Sequence, residues 1–250
     1  MNLSGKTIVV TGASSGIGSM ISRKIAESGG TTILFGRDQT RLESVYKSLQ
    51  NSGHLYYSTD ITNSDNLEGI IADAVSKTGK ISGFVHSAGI QLTLPFRSTK
   101  LKSFQEIFAI NVFAGFEMAR VISKNNNLNT DQGTSFVFIS SMKANIGEAG
   151  NVAYCASKSA LISGSKAIAI ELANKKVRSN CILPGFVKTE MTDNFLNNRE
   201  PEILSQIIKK HPLGLGSTVD IANLAVFLLS DLSSWITGTE IVIDGGYTAQ

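Results

Sequence analysis

The segment Tyr154-Cys155-Ala156-Ser157-Lys158 sets a phenol and an ammonium four residues apart, a spacing that brings both side chains to one face of a helix. A tyrosine in water titrates at a pKa of about 10, too high for acid–base work near neutrality. A fixed cation beside it favours the phenolate and tunes it downward. Such a pair also arises by accident on solvated helices, so it needs companions. One is near: the apolar run Phe136-Val137-Phe138-Ile139 ends in Ser140-Ser141, thirteen residues before Tyr154. A hydroxyl then stands where a strand would stop.

A second group of residues suits a phosphate. Thr11-Gly12-Ala13-Ser14-Ser15-Gly16-Ile17-Gly18 follows Ile8-Val9-Val10 and opens an amphipathic stretch. Gly12 can turn sharply out of a strand, Gly16 lets a pyrophosphate approach the backbone at a helix N-terminus, and Gly18 permits close helix-on-strand packing. Ser14, Ser15 and Ile17 complete the expected contact set of this turn. The spacing G-x-x-x-G-x-G departs from the dinucleotide fingerprint G-x-G-x-x-G. The strand–turn–helix context therefore carries the reading, not the motif.

At the end of the next apolar run the sequence is Phe35-Gly36-Arg37-Asp38. Gly36 leaves room and Arg37 offers a fork of donors to a 2′-phosphate, which favours NADP(H), with NAD(H) as the alternative. Asp38 could accept ribose hydroxyls, pair with Arg37 or Arg41, or cap the following helix. Asp60-Ile61 falls where an adenine edge could be reached, and a plain Asx-turn before Thr62 accounts for it equally well.

These residues need elements to hold them. The 250 residues contain 42% hydrophobic and 17% charged side chains, which excludes disorder and fibres. A chain of this length buries a core without disulfides. The formal charge of +3 is too small and dispersed to announce a nucleic-acid or membrane partner. The clusters Lys175-Lys176-Val177-Arg178 and Lys209-Lys210-His211 read as solvated helix ends. Two cysteines without a C-x-x-C favour a reducing compartment such as the cytoplasm, and no metal site is suggested. Neither a signal peptide nor an apolar run long enough to span a membrane is apparent.

Short apolar runs at 7–11, 31–35, 55–58, 83–87, 135–140, 178–183 and 240–243 alternate with amphipathic stretches at 17–27, 40–50, 64–77, 101–124, 152–173, 202–210 and 219–229. Continuous rather than alternating strand cores mark strands covered on both faces. The expectation is one α/β domain: a Rossmann-like, doubly wound parallel sheet of about seven strands with helices on both faces. Gly29-Gly30 reads as a left-handed helix end, Ser64 and Thr218 as N-caps, and 125–133 as a surface loop.

Ser141, Tyr154 and Lys158, with Asn111, together with Thr11-Gly12, Pro184-Gly185 and Asp244-Gly245-Gly246, make the chain resemble the short-chain dehydrogenases/reductases over essentially its full length. The resemblance implies that Ser141 orients a substrate oxygen, that Tyr154 is the acid or base, and that Lys158 binds nicotinamide-ribose hydroxyls while tuning Tyr154. Asn111 would hold a water in a proton relay. Pro184 and Gly185 open the segment in which the Val187 backbone and the Thr189 hydroxyl would fix a carboxamide, although Pro184-Gly185 also suits an ordinary turn. Many relatives carry Asn-Asn-Ala-Gly where this chain has His86-Ser87-Ala88-Gly89. Ala88 and Gly89 keep the close approach to cofactor, and His86 is expected as a hydrogen-bonding residue beside the adenosine ribose.

Within the family the chain is most similar to 3-oxoacyl-acyl-carrier-protein reductases and to sugar or polyol dehydrogenases. The implied substrate is a carbonyl, small or an acyl thioester, free or on an acyl-carrier protein. Lys124, Lys175, Lys176 and Arg178 could form part of a basic rim for that carrier. Residues 192–212, with Phe195, Leu196, Ile203 and Ile207, fall where the family carries a substrate lid. The resemblance implies a homotetramer through 101–124, 152–173 and the last strand. A catalytically silent dinucleotide-binding regulator is the reading from another class. A nucleotide-sugar epimerase is disfavoured, because no separate substrate domain follows.

Overall fold

The computed structural model describes residues 1–190, 192 and 201–250, with the backbone alone for 201–204. The strands β1 Thr7–Thr11, β2 Thr31–Gly36, β3 Leu55–Ser58, β4 Ile81–His86, β5 Thr134–Ile139, β6 Val177–Pro184 and β7 Glu240–Ile243 form one sheet. Their order is β3-β2-β1-β4-β5-β6-β7, and every neighbouring pair is parallel. Parallel neighbours need crossovers, and the helices α1 Gly16–Glu27, α2 Gln39–Lys47, α3 Leu67–Thr78, α4 Leu101–Phe108, α5 Ala114–Ile122, α6 Val152–Glu171, α7 Pro201–Lys209 and α8 Thr218–Leu229 lie along them.

The two-residue period of a strand divides the core into two layers. On one face Val9, Ile33, Phe35, Phe84, Phe136, Phe138 and Leu183 meet residues of α3, α5 and α6. Ile8, Val10, Leu34, Val85, Val137, Ile139 and Ile182 face the other way, onto α1, α2 and α8. Phe84 packs edge-on against both Phe136 and Phe138, at 5.8 and 5.9 Å between ring centres, and so locks the middle of the first layer.

The expected elements form with three local differences. The stretch read as one helix over 101–124 is α4, a π-helical turn Ala109–Phe113, and α5. β4 begins at Ile81 rather than at residue 83, because Ile81 pairs with Thr7 and bridges to Leu128. The caps are displaced: α3 starts after Asn66, not Ser64, and α8 is capped by Ser217, whose hydroxyl and the Asp220 carboxylate form a reciprocal capping box. Gly29 takes φ +86° just beyond α1, as a left-handed helix end requires. The loop 125–133 is not wholly at the surface, since Asn127 and Leu128 are buried.

Candidate active site

The strand order reverses between β1 and β4, and a cleft of about 330 Å³ opens there, outside the carboxyl ends of the strands. Gly12, Ser14, Ser15, Gly16, Ile17 and Gly18 line one wall. Gly12 sits at φ +66°, and a Cβ on it would stand 2.7 Å from the Ala88 nitrogen, so only glycine lets the two backbones meet. Ser15 is the N-cap of α1 without a side-chain capping bond, and no acidic residue lies in the first turn. The positive end of the helix thus faces the cleft, as a phosphate requires.

Ser141, Tyr154 and Lys158 line the same cleft, with Pro184, Gly185, Val187 and Thr189, the last of these close to Gly16. Ser141 follows β5, and α6 presents Tyr154 and Lys158 one turn apart. Two bonds hold α6 to the end of β5: Ser140 Oγ donates to the Lys158 carbonyl at 2.8 Å, and Lys158 Nζ donates to the Ile139 carbonyl at 2.8 Å. The Lys158 ammonium lies 5.8 Å from the Tyr154 ring centre.

Burial governs the titration of both groups. It pushes the enclosed Tyr154 hydroxyl up to about 12, with the Ser141 hydrogen bond opposing it. Desolvation also lowers Lys158 to about 8. The downward tuning of Tyr154 expected from Lys158 is not what the structure shows: the lowering comes from the Ser141 hydrogen bond, and burial exceeds it. The physical cause is removal of the phenolate from water.

Arg37, Asp60 and Ile61 also line the cleft, Ile61 from the buried core. Asp60 makes the Asx-turn as well, accepting from the Thr62 amide at 2.9 Å and its hydroxyl at 2.8 Å. Asp38 is committed elsewhere. It caps α2 by accepting from the Arg41 amide at 3.0 Å, and its carboxylate lies 3.4 Å from the Arg41 guanidinium.

Ala88 and Gly89 line the cleft, but two expected site residues stand behind it. Asn111, in the π-turn, is fully buried; its side chain accepts from the Ile90 amide at 2.8 Å and donates to the Ile90 carbonyl and to Ser157 Oγ, each at 3.0 Å. His86 is corrected. Its ring is fully buried and turned into the core between Thr11 and the Asn111 carbonyl, at 2.9 and 3.1 Å, rather than toward an adenosine ribose. The cause is the strand period: His86 shares the face of Phe84, against α5.

Sequence reasoning missed Gln91, Lys143 and Glu190, all on the cleft. Lys143 is buried and pairs with Glu148 at 2.5 Å, while its ammonium lies 6.0 Å from the Tyr154 ring centre. Glu148 also accepts from Asn151 at 2.6 Å, and Asn151 accepts from Gln91 at 2.8 Å. Their signal was position: each follows the carboxyl end of a strand or the segment after it. The proposed basic rim is corrected too. Arg178 lies at the amino end of β6, about 20 Å from the cleft at 3.3 Å per residue, and its guanidinium is bound to the Leu228 and Ser230 carbonyls at 2.8 and 3.1 Å. His211 is likewise buried, not solvated, accepting from the Phe186 amide at 3.3 Å. Of the lid residues, Phe195, Leu196 and the Ile203 side chain lie outside the described residues. Among the described residues no cluster of acidic, histidine and cysteine side chains could hold a metal ion, and no helix is long and apolar enough to cross a membrane.

A glycine turn at a helix N-terminus, a guanidinium, and a serine–tyrosine–lysine group in one cleft fit a nicotinamide dinucleotide and a carbonyl or alcohol substrate. The chain belongs to the short-chain dehydrogenase/reductase family and is an oxidoreductase of that family, acting on an alcohol or a carbonyl. A family model described as enoyl-(acyl carrier protein) reductase matches residues 12–248. The chain is 36% identical over 248 residues to the 3-oxoacyl-(acyl-carrier-protein) reductase FabG of Rickettsia felis, covering 98% of each chain. It is 32% identical over 254 residues to the 2,5-dichloro-2,5-cyclohexadiene-1,4-diol dehydrogenase LinX of Sphingobium indicum, covering 98% of this chain and 97% of that one. A short-chain type dehydrogenase/reductase from Mycobacterium ulcerans superposes with a TM-score of 0.92 at 29% identity, over 100% of this chain and 92% of the other.

Proposed function

We propose that the protein is an NADP(H)-dependent enzyme interconverting a carbonyl and a secondary alcohol, with a 3-oxoacyl thioester, free or on an acyl-carrier protein, as substrate. One observation carries this reading: Ser141, Tyr154 and Lys158 share a single cleft with Arg37, whose acidic neighbour Asp38 is spent on capping α2. A guanidinium at the end of β2 suits a 2′-phosphate better than bare ribose hydroxyls, with Asp60 rather than Asp38 as the carboxylate that shares its end of the cleft.

In the reducing direction Ser141 donates to the substrate oxygen, and Tyr154 delivers its hydroxyl proton to that oxygen as charge develops. Lys158 holds positive charge beside the phenolate that remains. A bound nicotinamide supplies the hydride. Asn111 acts from behind, fixing Ile90 and Ser157 around the same group. Gly12, Ser14, Ser15, Gly16, Ile17 and Gly18 take the pyrophosphate, Asp60 and Ile61 the adenine end, and Ala88, Gly89, Pro184, Gly185, Val187 and Thr189 the nicotinamide half.

The reading includes a cytoplasmic homotetramer. Phe113 and Ile170 are exposed near the groove between α5 and α6, where an apolar partner surface would cover them. A second reading, a dehydrogenase of sugars or other small polar ketones, is favoured by the polar side chains of Gln91 and Lys143 on the cleft, joined behind it through Asn151 and Glu148. The relevant experiment follows nicotinamide absorbance with NADPH and NADH against an acetoacetyl thioester, a crotonyl thioester, diketones and keto-sugars. Selective NADPH oxidation with the acetoacetyl thioester supports the first reading. Turnover confined to keto-sugars moves the protein to the second, and silence across the panel points to a regulator.

A further inference from the structure

His86 stands where this chain departs from its relatives' pattern, and its side chain is outside the cleft. The ring is fully buried, with Phe84 and Phe138 at 6.2 and 6.3 Å between centres. A carbonyl oxygen can only accept, so Nε2 carries the proton and donates to the Asn111 carbonyl at 3.1 Å. Nδ1 then accepts from the Thr11 hydroxyl at 2.9 Å, and Thr11 Oγ1 receives the Ala88 amide at 3.4 Å. Burial and the Lys158 charge hold the imidazole near a pKa of about 3, so it stays neutral near neutral pH, and the Asn111 carbonyl selects the tautomer.

The chain of bonds therefore runs from the residue before the Gly12 turn to the π-turn Ala109–Phe113. Such a turn disrupts the regular i to i+4 ladder of a helix, and π-turns are frequent at functional sites. Here the imidazole gives the Asn111 carbonyl a donor from outside the helix. The Asn111 side chain continues the line to Ile90 and to Ser157, the residue before Lys158. Space for the ring is made at Gly115, where a Cβ would stand 2.6 Å from His86 Cδ2.

We propose that His86 is a positioning residue: its imidazole fixes the π-turn and, through Asn111, the placement of Ser157 and Lys158 against the Ile90 wall of the cleft. The inference rests on the proposed reading of that site. Three variants separate the contributions. His86→Phe keeps a ring without polar atoms, His86→Gln restores one donor and one acceptor, and Thr11→Val keeps the imidazole while removing the partner of Nδ1 together with the acceptor of the Ala88 amide.

The test uses the full chain with NADPH bound. Backbone hydrogen exchange over 109–116 is read by mass spectrometry, and kcat and KM are measured with the acetoacetyl thioester of N-acetylcysteamine. His86→Phe is expected to speed exchange about tenfold in that segment. It should also lower kcat about tenfold or more while KM for NADPH stays within about threefold. His86→Gln should recover most of both, and Thr11→Val should fall between. Unchanged exchange, or unchanged kcat despite faster exchange, overturns the proposal, as does failure of His86→Gln to recover either. If His86→Phe does not fold, Thr11→Val decides on the same two readouts. A wild type that reduces no carbonyl defeats the functional reading alone, and the exchange comparison then decides the role of His86.

Discussion

Lys158 and Tyr154 lie one turn apart on α6, yet the ammonium donates to the Ile139 carbonyl, 5.8 Å from the centre of the phenol ring. The lysine is thus anchored on the end of β5, the strand that also delivers Ser141. Strand and helix are fixed to each other where the three groups converge, so their mutual placement is set by the fold before any ligand binds. Pre-organised donors of this kind need no rearrangement at the moment of reaction.

Removing the proton donor should separate chemistry from binding. Tyr154→Phe is expected to lower kcat by about 10²- to 10⁴-fold, the usual range for a general acid–base group. NADPH affinity, read by quenching of protein fluorescence, should stay within about threefold. Ser141→Ala should also lower kcat, because the substrate oxygen loses its donor. A variant that turns over at the wild-type rate removes Tyr154 from the mechanism.

Burial of Lys158 has a pH signature. Its folded-state pKa of about 8 lies below the ordinary value of 10.5. Below pH 8 the ammonium is charged in both states, and the burial cost is fully present. Between pH 8 and 10.5 the folded state releases its proton first and stability rises with pH. Lys158→Met should therefore gain most, relative to wild type, below pH 8, and the difference should shrink by up to about 3 kcal/mol as pH passes 10.5. Urea unfolding of both proteins across this range checks it; a difference independent of pH contradicts it.

Arg37→Ala should weaken NADPH binding about 10- to 100-fold, the size of a lost charge-assisted phosphate contact. NADH binding should change by less than about threefold, since no 2′-phosphate is present to lose. Calorimetric titration with both cofactors is decisive. Equal weakening of the two moves the phosphate contact to another residue.

Gly12→Ala adds a Cβ at φ +66° and 2.7 Å from the Ala88 nitrogen. Backbone strain and overpacking together should cost about 2–4 kcal/mol in chemical denaturation. The folded fraction should also lose the thermal shift expected for the wild type with NADPH. Retention of both would mean that the turn can open without consequence.

Much of this was legible in the sequence because parallel strands covered on both faces read as continuous apolar runs. Runs such as Ile8-Val9-Val10 and Phe136-Val137-Phe138-Ile139 marked their strands to within a residue or two. The glycine turn and the Tyr154–Lys158 spacing were local patterns and could be read directly. The π-turn could not, since Ala-Ile-Asn-Val-Phe suits an ordinary helix equally well and the turn is accompanied by contacts from His86. The direction of the His86 ring depends on where β4 begins its alternation and on room left at Gly115. Asp38 had three local uses, and the start of α2 realises two of them at once, the cap and the Arg41 pair. The rim role of Arg178 failed because a sequence does not reveal which end of a strand faces the cleft until the sheet is assembled.

The proposed reaction passes hydride between NADPH and a carbonyl carbon in this cleft. The most direct measurement incubates NADPH deuterated at the reactive nicotinamide carbon with the acetoacetyl thioester and follows the label by NMR. A single deuterium is expected on the carbinol carbon of the hydroxyacyl product, delivered from one face of the nicotinamide, and none with Tyr154→Phe over the same time. Label that stays on the cofactor, or that reaches product equally well without the Tyr154 hydroxyl, contradicts it.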